Sequence, residues 1–421
     1  MPRRVQLVAA DSRRINGTND LCARAGARHS VVFVARPRRL LLAALAGALI
    51  AAIALAVVHQ LVRRSDAALL PVPSAAGLNY GMPHDAGGNW VGTEWLRSGY
   101  WAETRPALAQ DLDFIQRHNL GRLQRIFVGL DQAMVWDETR GFNGFDAAAL
   151  AHFSTALDMF DAHGMKVIVV VFDQEVVGST GNFHFAALDG KHKAMRQGYL
   201  RATEEFFRRF GGRGTVAGWD LFNEAYNSLG TDGRMPQPPH ADPVSPGYSD
   251  SVVHGWLRDL YYAARLGSAS ARLTVSDATE LYWNPDPDVG KYEDVVDFYD
   301  VHVYDDNPRY PDWRSTLRKP YIVGEAGAST VGAHYEDQAL NSHAVTYLLQ
   351  HARAAGVSAV LVHGEAYTTA TDSLTPTGAA VAQFLSEGPG AAQAAEGWNP
   401  VADIGAALVS TARRIRRIFS G

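Results

Sequence analysis

Glu224, at the end of VAGWDLFNEA, and Glu325, in KPYIVGEAG, each close a short apolar, β-branched run, and the two lie about a hundred residues apart. Each run is bounded by Gly or Pro and is followed by small residues, which is how a buried parallel strand running into a turn reads. Two carboxylates at strand ends can cleave an acetal. One protonates the leaving oxygen and the other attacks the anomeric carbon, and in a retaining reaction the two stand ~5–5.5 Å apart. A lone strand-end Glu reads more plainly as an ion pair on a rim; a pair in these contexts points to chemistry on a glycosidic bond.

For the two groups to face each other, their strands must share one rim. Strand-like runs fall at residues 78–82, 123–128, 167–172, 216–222, 273–276, 298–303, 321–324 and 357–362, the fifth being the weakest. Between most of them lie helical patterns, at residues 107–118, 147–163, 199–210, 253–264 and 339–355, with apolar positions recurring every three or four residues. This alternation predicts parallel βα units. Eight units give an α/β fold of the (β/α)8 TIM-barrel type, in which catalytic groups gather at the strand C-termini. Six units would give an open doubly wound sheet, which no Gly-rich phosphate turn supports. Residues 227–250, directly after Glu224, hold five prolines and are expected to wall the cleft on the catalytic face.

On these residues, the barrel portion resembles clan A retaining glycoside hydrolases, and most of all the cellulase group, glycoside hydrolase family 5. Asn223-Glu224 resembles the fourth-strand Asn-Glu pair of the clan, and Glu325 in PYIVGEAG resembles the seventh-strand nucleophile. His302 and Tyr304 in DFYDVHVYDD resemble the sixth-strand His-x-Tyr, Arg125 in LQRIFV the second-strand Arg, and LNYGMP the first strand. The resemblance implies that Glu224 is the acid/base, that Asn223 binds the sugar 2-hydroxyl, and that Arg125 and Tyr304 support Glu325. Chemistry asks for the same support, because a nucleophile stays ionised when an Arg and a hydroxyl donate to it. His302 is expected to bind sugar or hold the acid/base. No second His or Cys stands at ligand spacing, so neither a catalytic metal nor any other cofactor is expected.

Sugar C–H faces stack on indoles, so Trp90, Trp95, Trp136 and Trp283, in or near rim loops, are candidate subsite walls, each with core packing as the plainer reading. Asp173, His84 and Asp85 are candidate hydroxyl binders or loop caps. One departure from the family concerns the eighth strand, which usually ends in a Trp beneath the reactive sugar. Here AVLVHGEAY sets His363 and Glu365 in that region, which puts the substrate in doubt more than the reaction and leaves room for a cationic sugar.

The 421 residues suffice for one large domain and an appendage. Residues 40–58 are uncharged and overwhelmingly apolar, with nine arginines before them and Arg63 and Arg64 after. That length just spans a ~30 Å hydrocarbon core, and the Arg bias sets the N-terminus in the cytoplasm and the barrel outside. The expected organisation is therefore a basic segment (1–39), a transmembrane signal anchor (40–62), a linker (63–76), the barrel (77–386), a second linker (387–400) and a basic amphipathic helix (401–421). A cleaved signal peptide with a secreted barrel is the competing reading, and the last helix can lie on a membrane or dock on the barrel. Residues 1–64 carry eleven Arg against Asp11 and Asp20, a balance of +9, so the remainder carries −14 of the net −5. Such an acidic domain argues against nucleic acid as a partner. The expected partners are a polysaccharide or oligosaccharide, the cytoplasmic membrane, and polysaccharide synthesis or export machinery. A non-catalytic glycan-binding scaffold and a transglycosylase remain the alternatives to hydrolysis.

Overall fold

The computed structural model describes residues 75–81, 83, 95–137, 141–173, 193–225, 250–277, 293–304, 319–329, 337–355, 357–364, 366–368 and 373–387, all within one compact unit. The expected membrane segment and the C-terminal basic helix lie outside these residues. Among the described residues, no helix is long and apolar enough to cross a membrane.

In chain order the elements are β1 (Ala75–Gly81), α1 (Ser98–Arg117), β2 (Leu123–Phe127), α2 (Leu130–Ala133), β3 (Met134–Asp137), β4 (Gly141–Phe145), α3 (Ala147–Ala162), β5 (Lys166–Val170), α4 (Lys193–Phe210) and β6 (Val216–Asp220). There follow α5 (Asp250–Gly267), β7 (Leu273–Thr274), β8 (Ser276–Asp277), β9 (Tyr299–Tyr304), β10 (Tyr321–Gly327), α6 (Gln338–Ala355), β11 (Ala359–Val362), β12 (Tyr367–Thr368), β13 (Ser373–Leu374) and α7 (Pro376–Ser386). Around the main sheet the order runs β1, β2, β5, β6, β7, then β8, β9, β10, β11 and back to β1, all parallel. β7 and β8 are the halves of one fifth strand, broken at Val275: Leu273 and Thr274 pair with β6, whereas Ser276 and Asp277 pair with β9. The break closes the ring, and the result is the expected eight-stranded (β/α)8 barrel.

Side chains alternate along each strand, and in a barrel one set points inward while the other meets the helices. On β9, Tyr299, Val301 and Val303 join the large cluster shared with the helices, whereas Phe298 packs with Leu123, Ile168, Ile322, Ala359 and Leu361 inside the barrel floor. Counting on by twos from Phe298 brings Asp300, His302 and Tyr304 to the same inner side. The same step carries β2 from Leu123 to Arg125. Above an apolar floor the barrel thus holds a polar layer of Arg125, Asp220 and Asp300, all fully buried. Gly324 makes room for it, since a Cβ there would lie 2.0 Å from Asp300 Oδ1.

Local signals explain the helices. Asp146 caps α3, accepting from Ala148 N–H at 2.8 Å, and Thr375 caps α7 with Pro376 in its first turn. The helix expected at 107–118 starts earlier, at Ser98, and runs through Pro106.

Candidate active site

Arg125 is the hub. Its Nη1 donates to Glu325 Oε1 at 2.6 Å and to Asn79 Oδ1 at 3.2 Å. Its Nη2 donates to Asp220 Oδ2 at 2.7 Å, Asn223 Oδ1 at 2.7 Å and Ser276 Oγ at 3.2 Å. Nε lies 3.7 Å from Asp300 Oδ2. Burial opposes the charge of this guanidinium, but Glu325, Asp220 and Asp300 together hold it protonated more firmly than usual. One cation therefore ties β1, β2, β6, β8, β9 and β10 together directly beneath the rim.

On that rim Glu325, at the end of β10, has both oxygens engaged. Oε1 takes Arg125, Oε2 accepts from the Tyr304 hydroxyl, and His302 Nδ1 stands 3.5 Å from Oε2. Burial alone would raise this carboxyl, but His302, Arg125, His363 and the Tyr304 hydroxyl outweigh it and hold it at about 2. The Tyr304 hydroxyl is pushed the other way, by burial and by the carboxylates beside it, and keeps its proton.

Glu224 follows β6 on a turn with φ of 45°. A non-glycine residue in this left-handed region costs of order 1–3 kcal/mol, which the surroundings must sustain. Here its N–H donates to Ser276 Oγ at 3.2 Å and His302 Nδ1 holds Glu224 Oε1 at 2.8 Å. His302 is fully buried, which disfavours its charged form; Glu325 and the bond to Glu224 prevail and raise it to about 9. Its Nε2 finds no partner among the described residues. Asn223 donates from Nδ2 to Asp173 Oδ1 at 3.0 Å, and its Oδ1 accepts from Arg125 and from Ser276 Oγ.

The structure therefore brings together Glu224, Glu325, Asn223, Arg125, His302, Tyr304 and Asp173. His363, after β11, is half-buried beside them, with its ring perpendicular to that of Tyr304 at 5.8 Å between centroids. Trp90, Trp283, His84, Asp85 and Glu365 lie outside the described residues. Trp95 is buried, donating from Nε1 to Phe127 O at 2.8 Å, and Trp136 packs against Tyr199 and Phe142. Trp95 is thus part of the core, and Trp136 is partly buried against it. Sequence reasoning missed Asn79, Asp220, Ser276 and Asp300. The signal available was a polar residue at an inward step of an otherwise apolar strand.

Glu224, His302 and Glu325 offer ligand atoms all within 4.8 Å of one another, a spacing that also suits a cation. A proton on His302 Nδ1, held between the two carboxylates, competes for that place. The same measure sets one oxygen of each carboxylate within 4.8 Å of the other, on the scale of the ~5–5.5 Å carboxyl separation of a retaining pair and short of the ~6.5–9.5 Å of an inverting one.

The fold is shared with solved structures of β-mannanases and of a GH5_18 protein. No family model and no curated protein matches the sequence. Among solved structures, the chain is similar to a β-mannanase from the blue mussel Mytilus edulis, with a TM-score of 0.54 and 14% identity over 73% of this chain and 91% of that one. It is also similar to an endo-1,4-β-mannanase from Eisenia fetida, with a TM-score of 0.51 and 17% identity over 76% of this chain and 91% of that one. A GH5_18 variant from Streptomyces cattleya, in complex with Manβ1-4GlcNAc, matches with a TM-score of 0.55 and 15% identity over 74% of this chain and 80% of that one.

Proposed function

We propose that this protein is a retaining β-glycosidase that cleaves a β-linked polysaccharide, mannan-like chains included, with Glu325 as nucleophile and Glu224 as acid/base. The observation that carries this reading is the opposed pair itself: carboxylate oxygens within 4.8 Å, one held ionised by Arg125 and Tyr304, the other steered by His302.

The steps follow from the hydrogen bonds. Glu325 attacks the anomeric carbon as the glycosidic C–O bond breaks, and Glu224 gives its proton to the departing oxygen. His302 donates to Glu224 Oε1 and so holds the acid/base in place beside the departing oxygen. A water then gives a proton back to Glu224 while attacking the anomeric carbon, and Glu325 leaves. Asn223 spends one amide N–H on Asp173, which leaves the second for a sugar 2-hydroxyl. We further propose endo action at the outer face of the cytoplasmic membrane, in the processing of an exopolysaccharide. The apolar, Arg-flanked residues 40–58 support it, since a scavenging hydrolase gains more from free secretion.

The test incubates the full chain, detergent-solubilised, with β-linked glucan, mannan, xylan and glucosamine polymers, beside Glu224→Gln and Glu325→Gln, and reads reducing ends. Release lost in both variants is expected. Glycan binding without release by the unaltered chain would refute the reading in favour of a scaffold, and sugar transfer in place of water attack would identify a transglycosylase.

A further inference from the structure

At the rim, a side chain from α6 stands where the ladder between β10 and β11 should continue. His363 N–H donates to Ala326 O at 2.8 Å. In a parallel ladder each residue bonds through its N–H and its O to the two residues that flank its partner, so the next rung runs from Ala328 N–H to His363 O. An amide fills that rung instead. Asn341 Oδ1 accepts from Ala328 N–H at 3.0 Å, and Asn341 Nδ2 donates to His363 O at 3.4 Å and to Thr377 Oγ1 of α7 at 3.1 Å. Asn341 and Thr377 are both fully buried, so solvent does not compete for these bonds. The inserted amide holds the two strand ends further apart than a direct rung would.

The spacing matters to Glu325 because β10 bulges just before it. Against β9, Val323 pairs with Val301 and Glu325 with His302; against β11, Val323 pairs with Val360 and Ala326 with Val362. β10 thus carries one extra residue against each neighbour, close to Gly324. A bulge bends its strand and re-aims the side chains beside it, so the segment beyond it needs an anchor of its own. β11 ends at Val362, and on that side the anchors are the bond between Ala326 and His363 and the Asn341 amide on Ala328, three residues past Glu325.

We propose that Asn341 is a positioning residue, whose inserted amide holds the end of β10 off β11 and so sets Glu325 between Arg125 and Tyr304. Without the amide, Ala328 N–H and His363 O can meet directly, which draws the strand end toward β11 and takes the carboxylate off its donors. The consequence for catalysis rests on the glycosidase reading; the placing of the carboxylate does not.

Arg125, His302, His363 and the Tyr304 hydroxyl hold the Glu325 carboxyl at about 2 against burial, so its titration reports its placement with no substrate present. The experiment is a pH titration by 13C NMR of the full chain labelled at its glutamate carboxyl carbons, the Glu325 signal being assigned by its loss in Glu325→Gln. In Asn341→Ala, Glu325 is expected to titrate about one unit or more above the parent. On the polymer found active, the same variant is expected to lose roughly tenfold to a hundredfold in kcat with a smaller change in KM, and the acidic limb of its profile to move to higher pH. A folded Asn341→Ala with the parent's Glu325 titration overturns the inference, however far its Tm falls, and a shifted titration with unchanged kcat overturns the role in catalysis. Should Asn341→Ala not fold, Thr377 decides. Thr377→Val removes an acceptor that holds the amide and is expected to raise Glu325 in the same direction, whereas Thr377→Ser keeps the hydroxyl and is expected to restore the parent titration. Val and Ser variants that titrate alike overturn the inference. If Glu224→Gln and Glu325→Gln leave release intact, the glycosidase reading fails while the titration result stands.

Discussion

Replacing Arg125 with Met removes the cation that pairs with Glu325, Asp220 and Asp300 alike inside the barrel. The side chain has no exposure, so solvent cannot replace it. Breaking a buried ion pair from one side costs roughly 3–5 kcal/mol, because the remaining charge stays buried without compensation. For a domain of this size that is a fall in Tm of roughly 5–10 °C. The nucleophile suffers separately. Burial pushes the Glu325 carboxyl up, and Arg125 is among the main groups that hold it down at about 2, so its loss moves Glu325 toward protonation and shifts the acidic limb of the activity profile to higher pH. The assay is thermal unfolding of the unaltered chain, Arg125→Met, Glu325→Gln and the double variant. Since Glu325 is one of the charges left bare, neutralising it in the Met background should return part of the loss, of order 1–3 kcal/mol of coupling. If Arg125→Met unfolds within 1–2 °C of the parent, or if the two losses simply add, the hub does not act as described.

Tyr304→Phe deletes the hydroxyl that donates to Glu325 Oε2. A bond to a charged acceptor is worth about 1.5–3 kcal/mol, so kcat/KM should fall roughly 10–100-fold with the fold intact by circular dichroism. Stability should depend on pH in two limbs. Glu325 drops from 4.5 to about 2 on folding, so its contribution is full above 4.5 and is lost as pH falls toward 2. His302 rises from 6.5 to about 9, so its contribution is full below 6.5 and is lost as pH climbs through 9. Each limb is of order 3 kcal/mol, and His302→Gln should abolish the alkaline limb and, because His302 also holds Glu325 down, weaken the acidic one, in urea titrations across pH. Gly324→Ala places a methyl 2.0 Å from Asp300 Oδ1. It is expected to destabilise by about 1–3 kcal/mol, whereas Gly255→Ala, which meets nothing within 4 Å, should not.

The strands were readable because a parallel barrel buries them on both faces, so each stands out as an apolar run; 123–127, 216–220 and 359–362 fall within the expected spans. Glu224, Glu325, His302 and Tyr304 were readable because a polar residue ending such a run has little structural reason to be there. The buried polar layer was not. Asp220 and Asp300 sit inside apolar runs, and only knowing which alternate faces inward shows that both reach Arg125. Ser276 was obscured by a strand broken at Val275, since two-residue halves carry no period to read. The β3–β4 hairpin was missed for a similar reason: GFNGF gives its two glycines no alternation to support.

That same break in the fifth strand makes the barrel uneven in its resistance to opening. The ladder at this seam is short, with Leu273 and Thr274 paired to β6 and Ser276 and Asp277 to β9, whereas β9 and β10 are paired from Tyr299 to Tyr304. Amide exchange through local opening follows such differences, so this seam should exchange well before its neighbours. Ser276 is part of the seam and also touches Arg125, Asn223 and the backbone of Glu224. Opening of the ring here would loosen the bond from Ser276 to the turn that carries Glu224. A ligand bound between the two carboxylates would be felt as slower exchange on the far side of the barrel wall, at residues it never touches.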